Sequence, residues 1–294
     1  MNVVRLPDLT EQRPRRVAVG TFDGVHVGHR EVIRGCDTVL TFDPHPLSVV
    51  RPEAAPKLLT PFTVKRDIIA GLGVEDLVVI PFDDEFRSKT AEQFIDEVLI
   101  GKLQAVEVSV GENFNFGRGA RGNVEMLRER REFETRVAPL VEVDGEAVSS
   151  TQIRALVAAG DVEKAARMLG GPFIVEGEVA HGDKRGRTLG FPTANLVPDE
   201  RFVHPGHGVY AAWAHGHCAA VNVGVRPQFQ TGRGLLIEAY LIDYDGDLYG
   251  QPLRVAFTKR LRGERRFESV EALVEQMHRD VEQARALSDA AAGR

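Results

Sequence analysis

Short apolar runs alternate with helical patterns over the first 170 residues. Val17–Gly20, Thr38–Phe42, Leu77–Phe82 and Val106–Val110 are strand-length runs rich in Val, Ile and Phe, whereas Val64–Leu72 and Ala91–Leu103 read as helices. Buried strands separated by helices predict βαβ units and a parallel sheet with both faces covered. Ligands of such sheets bind at the carboxyl ends of strands, so the loops that follow the strands carry the interest.

The pattern changes at Gly170-Gly171-Pro172, after a short helix over Asp161–Leu169. Beyond it come short strands at hairpin spacing: Phe173–Ala180, Gly208–His215, Cys218–Gly224, Leu235–Tyr244 and Leu253–Lys259. His215-Gly216 and Asp245-Gly246 are turn signals between them, which together predict a small antiparallel barrel. One amphipathic helix closes the chain, with Ser269 as N-cap and Val270, Leu273, Val274, Met277, Val281, Ala284 and Leu287 on one face. Two domains are therefore expected, 1–170 and 171–294.

Composition narrows the class. The 294 residues include 37 basic and 43 acidic side chains, a net charge of −6, with 43% hydrophobic residues. That is globular composition, and the acidic balance argues against nucleic acid or an anionic membrane as the main partner. No apolar run approaches the roughly 18–20 residues that cross a bilayer, and the start lacks a signal peptide's apolar stretch, so a cytoplasmic protein is expected. Cys36 and Cys218 are far apart in apolar contexts and predict neither a disulfide framework nor a metal site.

Candidate chemistry begins after the first of those strands. Gly20-Thr-Phe-Asp-Gly-Val-His26-Val-Gly-His29 runs from strand to helix, where three glycines permit close backbone approach and free N–H groups attract anions. His26 and His29, three apart, can share one side of the junction and stabilise charge in phosphoryl or nucleotidyl transfer. Ser149-Ser150-Thr151-Gln152-Ile153-Arg154 starts a capped helix, and Arg154 can clamp a phosphate; alone, it reads as an ordinary N-cap. In the second half, His181-Gly-Asp-Lys-Arg-Gly186-Arg187 is a basic glycine-containing loop that can wrap phosphates, with a solvated hairpin loop as the equal alternative. Thr193 and Asn195 are two apart, so in a strand they point the same way and offer magnesium two neutral oxygens. Glu238 interrupts an apolar strand, where alternation alone would place it outward.

These motifs carry a resemblance. GTFDGVHVGH and SSTQIR are similar to the paired signatures of HxGH nucleotidyltransferases. TFDPHP (Thr41–Pro46) and GENFNFG (Gly111–Gly117) resemble the adenylyltransferase module of the bacterial bifunctional riboflavin kinase/FAD synthetase family. GRTLGFPTANL, IEAYLIDYDGDLYG and FTKRLRGERRFESVEALVEQ resemble its kinase module, in the same order. The resemblance, from Val4 to about Leu287, implies a Rossmann-like nucleotidyltransferase domain followed by a riboflavin kinase-like barrel. It implies ATP-dependent phosphorylation of riboflavin to FMN, then AMP transfer from ATP to FMN, giving FAD and pyrophosphate. His26 and His29 would meet the ATP phosphates, with Gly20, Phe22, Asp23 and Gly28 in the same loop and Ser150, Thr151 and Arg154 on the later helix. Asn113, Phe42, Pro44 and His45 would line the flavin pocket. In the kinase, Gly182, Lys184, Gly186 and Arg187 would take the nucleotide phosphates, Thr193 and Asn195 would hold Mg2+ with ATP, and Glu238 would be the base for the ribityl 5′-hydroxyl.

Three departures stand out. Only residues 30–40 separate His29 from Thr41, close to the minimum for a crossover of about 10–12 residues, which implies a trimmed helix over Gly28–Arg34. Gln152 stands where the family often has arginine, and Gln228 where it commonly has threonine. The alternatives are therefore a kinase joined to a weakened or inactive adenylyltransferase and, in another class, a non-catalytic flavin-binding sensor. Retention of Thr193, Asn195 and Glu238 speaks against the sensor. His204, His207, His215 and His217 read as surface or turn histidines, Arg128, Arg130 and Arg131 as a helix's exposed side, and Lys259–Arg266 as a solvated face or charge near the kinase nucleotide. A monomer acting on small molecules, without nucleic-acid or membrane partners, is the default expectation.

Overall fold

The computed structural model describes residues 1–180, 190–225 and 234–292. Two compact units emerge: Met1–Leu58 with Phe62–Ser150, and Leu59–Pro61 with Thr151–Arg294.

The first unit is built on six parallel strands: β1 (Asn2–Arg5), β2 (Arg15–Val19), β3 (Thr38–Asp43), β4 (Asp76–Pro81), β5 (Ala105–Gly111) and β6 (Glu134–Ala138). Their order is β1-β4-β3-β2-β5-β6, and a separate two-stranded ribbon, β7 (Glu142–Val143) with β8 (Glu146–Ala147), follows. Four of the six were expected; β1 and β6 are edge strands whose partly exposed residues lack a continuous apolar run. Side-chain alternation splits the core between the two faces. Val17, Val19, Leu40, Phe42, Val78 and Ile80 join one cluster, and Ala18, Val39, Leu77 and Val79 the other. The three helices α1 (Val27–Ile33), α2 (Pro46–Val50) and α3 (Phe62–Ala70) follow β2 and β3. The expected helix over Ala91–Leu103 begins as an α-turn at Ala91–Gln93 and continues as a wider π-type helix over Phe94–Lys102.

The trimmed crossover is present: α1 has seven residues. Its last turn is held from the sheet. Arg136 on β6 donates to the carbonyls of Glu31 (3.2 Å), Val32 (3.0 Å) and Arg34 (2.6 Å), while its Nε donates to Glu107 at 2.8 Å. Ser109 Oγ on β5 adds a bond to Val32 O at 2.6 Å. A short helix leaves four carbonyls without partners, and these two side chains satisfy several of them. The Cys36 thiol receives a further Arg136 contact at 3.3 Å, and burial pushes its pKa up, so it packs as a neutral side chain.

The second unit is a closed barrel of the strands β9 (Phe173–Ala180), β10 (Ala194–Leu196), β11 (Gly208–Ala214), β12 (His217–Val225), β13 (Leu235–Leu241) and β14 (Pro252–Arg262). They pair in the order β10-β13-β12-β11-β14-β9. His215 and Gly216, both left-handed at φ 50° and 77°, make the tight β11–β12 hairpin. Asp245-Gly246 does not close a hairpin, because β13 pairs with β10 and β12 while β14 pairs with β11 and β9. The barrel also needs β10, a three-residue strand too short to register as an apolar run. Helices α4 (Ser150–Ala159) and α5 (Val162–Leu169) precede it, and α6 (Val270–Ala292) lies on its outer wall, packing Val281, Ala284 and Leu287 against Ala211, Ala220, Tyr240 and Ile242.

The contact division lies at Ser150/Thr151, earlier than the expected boundary at 170, because α4 and α5 pack on the barrel. The Gly206 amide donates to Val157 O at 3.1 Å, and Arg260 donates to Ala159 O at 3.3 Å. The basic stretch is largely exposed but partly tied down: Lys259 pairs with Glu163, Arg260 also donates to His207 O, and the half-buried Arg262 donates to both carboxylate oxygens of Asp280. Arg130, read as exposed, pairs with Asp96 at 2.9 Å.

Arg136→Ala should free the α1 carbonyls and lower stability by about 2–4 kcal/mol, with Arg136→Lys recovering only part because one ammonium cannot reproduce the planar fork. Urea denaturation followed by circular dichroism measures both; an unchanged midpoint in Arg136→Ala would refute the clamp.

Candidate active sites

In the first unit, chain order sends β2 to β3 on one side, whereas β5 lies on its other side and continues to β6. The strand order therefore reverses between β2 and β5, and the loops after these two strands flank the crevice where open α/β sheets bind ligands. Those loops carry Gly20–His29 and Gly111–Gly117.

The β2 loop is tightly wound. Phe22 and Val25 hold positive φ of 50° and 42°, and Gly24 stands at 92°. Positive φ at bulky residues persists only where the surroundings impose it, and such strain gathers at functional sites. Two glycines have a local reason different from the expected opening toward an anion. A Cβ on Gly20 would stand 3.0 Å from the Phe22 ring, and one on Gly28 would stand 3.2 Å from the His26 ring. Beneath the loop, Lys65 Nζ donates to Thr21 O at 2.9 Å and Thr41 Oγ1 donates to the same carbonyl at 3.1 Å. Burial lowers the Lys65 pKa, opposed by the charges of Asp23 and Asp43. Lys65 was not singled out in the sequence, although a lysine one turn before Ile69 on the buried side of α3 is the available signal.

His26 and His29 come together at the start of α1. Their rings stack with centroids 3.6 Å apart and 15° between planes, and Phe22 meets His29 edge-on at 5.4 Å. His26 is the N-cap, its Nδ1 accepting the His29 amide at 3.2 Å. That bond fixes the neutral tautomer with its proton on Nε2. Asp23 is buried, and its carbonyl accepts a 2.9 Å bond from Ser150 Oγ. Thr151 and Arg154 follow on α4, Thr151 exposed and Arg154 half-buried.

The predicted flavin residues lie at the ends of β3 and β5. Phe42 is buried, edge-on to Phe82 and Phe86 in the core. Pro44 follows Asp43 through a cis bond, and His45 caps α2, accepting the Leu47 amide at 3.2 Å. Asn113 is exposed on the loop after β5, its carbonyl accepting from Asn115.

The barrel wall holds the second constellation. Ile237 and Ala239 point into the barrel, so Glu238 points outward as alternation requires, but it is only half-exposed. Register sets Asn195 of β10 directly opposite it on one side and Asn222 of β12 on the other. Asn222 Nδ2 donates to Glu238 Oε2 at 3.3 Å. Asn195 is 6% exposed, and its Oδ1 is buried without a hydrogen-bond partner. Thr193 immediately precedes β10 and is half-buried. Phe191 meets Tyr240 and His278 edge-on at 5.2 and 4.9 Å. Gly182, Lys184, Gly186, Arg187 and Gln228 lie outside the described residues. Asn222 was also not singled out, though as one polar residue between Val221 and Val223 it carries the same signal as Glu238.

Among the described residues no group of three or more His, Cys, Asp or Glu could hold a metal, and no helix is long and apolar enough to cross a membrane. A family model described as FAD synthetase matches residues 8–152, and one described as riboflavin kinase matches residues 169–288. A bifunctional riboflavin kinase/FMN adenylyltransferase from Bacillus subtilis is 37% identical, covering 93% of this chain and 92% of that protein. The Pseudomonas fluorescens enzyme of the same name is 36% identical over 97% of this chain and 96% of its own. A solved structure named as a macrolide-efflux protein from Streptococcus pneumoniae is 30% identical, covers 97% of this chain and 99% of that one, and superposes with a TM-score of 0.86. With a histidine-bearing loop at the switch point of one unit and a polar row on the barrel of the other, each half matched by its own family, the chain belongs to the bifunctional riboflavin kinase/FMN adenylyltransferase family and makes FMN from riboflavin and FAD from FMN.

Proposed function

We propose that the stacked pair His26–His29 serves the adenylyltransferase and that Glu238, between Asn195 and Asn222, serves the kinase. The observation carrying the first assignment is the ring stack of His26 and His29 at the start of α1, which sets two imidazoles at the switch-point loop where charge develops on a phosphate. In the adenylyl step, an FMN phosphate oxygen attacks the α-phosphorus of ATP and the bond to the β,γ-pyrophosphate breaks. The nucleophile is already anionic, so the chain's task is alignment and neutralisation of the departing pyrophosphate. The histidines and the strained Gly20–Gly28 backbone, with Phe22 and Asp23 packed within it, would do this, while Ser150, Thr151 and Arg154 keep the phosphate-binding role that the family motif implies. Asn113, Pro44 and His45, at the two strand ends, would bound the flavin, with Phe42 backing them from the core.

In the kinase, the riboflavin 5′-hydroxyl is a weak nucleophile. Glu238 would accept its proton as the oxygen attacks the γ-phosphorus and ADP leaves. Neutral side-chain oxygens suit a hard cation, and the buried, unpartnered Asn195 Oδ1 fits such a ligand, with Thr193 beside it. Magnesium bound there with ATP would supply charge neutralisation of the phosphates; Gly182, Lys184, Gly186 and Arg187 would complete their binding. The protein would work in the cytoplasm as a monomer on small molecules alone, a reading supported by the net charge of −6 and by the tying of Lys259, Arg260 and Arg262 into ion pairs and carbonyls. An active adenylyltransferase is favoured over a weakened one because α1, though short, keeps its histidine stack and is clamped by Arg136 and Ser109.

Chromatography of flavins formed from riboflavin or FMN with ATP and magnesium tests these assignments. His29→Ala should lower FAD formation by about 100-fold or more while FMN formation stays within about twofold of wild type. Equal loss of both in a folded variant would show that the sites are not separate. Glu238→Gln should lower riboflavin phosphorylation by about 100- to 10,000-fold and leave conversion of supplied FMN to FAD intact. Phosphorylation near the wild-type rate would remove Glu238 as the base.

A further inference from the structure

We propose that Asn222 is a positioning residue of the kinase: its side-chain amide holds one carboxylate oxygen of Glu238, so that the other takes the proton. Alternation along β12 sends Val221 and Val223 into the barrel and leaves Cys218, Ala220, Asn222 and Gly224 on the outer wall. Three of those four are small or apolar, and Asn222 is the exception. An amide at a half-buried position needs a partner, and the partner is the carboxylate directly across the register, at 3.3 Å.

The arrangement is specific about which oxygen is engaged. Asn222 Nδ2 meets Oε2 of Glu238. A glutamate side chain has three rotatable bonds, and a base that swings by an ångström loses most of its advantage in proton transfer. A single donor on one oxygen removes much of that freedom without removing the remaining oxygen's capacity to accept a proton. The neutrality of the donor also matters. On the same strand face, Gly224 leaves room for Glu264, whose Oε1 would stand 2.6 Å from a Cβ there and which pairs with His207 at 3.5 Å. An aspartate at 222 would add another carboxylate to this wall, opposite Glu238, whereas asparagine donates to it.

The inference rests on Glu238 being the base, so Glu238→Gln is measured alongside. Asn222→Leu keeps the branched skeleton without polar atoms and Asn222→Asp keeps the size and shape, and both lose the donor. Steady-state phosphorylation of riboflavin should show kcat lowered about tenfold or more in each, with KM for riboflavin within about twofold and riboflavin binding, read by flavin fluorescence, unchanged. FAD formation from FMN should match wild type. Wild-type kcat in either Asn222 variant, with Glu238→Gln inactive, overturns the positioning role. Loss of riboflavin binding in both variants also overturns it, since Asn222 would then support only the pocket. Activity retained in Glu238→Gln overturns the base assignment itself and identifies that as the failed step.

Discussion

A slip of one residue between β12 and β13 would turn one strand over, sending either Glu238 into the barrel with Ile237 and Ala239 out to water, or Asn222 in with Val221 and Val223 out. All four apolar side chains are fully buried, and exposing a valine or isoleucine costs roughly 1.5–3 kcal/mol each. The register is thus held by interior packing, and the polar row on the outside follows from it. Glu238 and Asn222 meet because their two strands bury the residues on either side of them, and pairing of β10 with β13 brings Asn195 to the same row. The same constraint acts in the parallel sheet, where Val17 and Val19 face one core cluster and Ala18 the other. Fixed registers there bring the β2 and β5 loops to the same edge.

The loop after β2 shows how such a scaffold bears local strain. Positive φ at Phe22 and Val25 is unfavourable for bulky residues, yet both side chains are buried among Ala18, Val32 and Val39. Their packing offsets the backbone conformation that folds His26 against His29. The short helix behind the loop has few bonds of its own, and isolated helices of this length are not stable in water. Its order comes from Arg136 and Ser109, which reach it from strands far along the chain.

Much of this was legible in the residue pattern, and the failures have physical causes. Interior strands with unbroken Val, Ile and Leu runs were visible; β1, β6 and β10 were not, since edge or three-residue strands leave little periodicity. Asp245-Gly246 carries hairpin chemistry, yet barrel closure pairs β14 with β9 and β11, so that dipeptide sits in a longer connection. The pairings of Lys259, Arg260 and Arg262 left no local signal because their partners, Glu163, the carbonyls of Ala159 and His207, and Asp280, lie up to 101 residues away.

Residue chemistry and spacing by themselves determined the two-part α/β and barrel architecture and the position of the histidine loop at a strand's carboxyl end. Local propensity and short-range motif chemistry suffice for these. Tertiary structure alone decided that His26 and His29 stack, that Lys65 lies under the loop, and that Glu238 is flanked by two asparagines. Spacing allows the two histidines to share a side, but the loop conformation that stacks them is imposed by packing of Phe22 and Val25; the other two depend on a contact across the fold and on strand register.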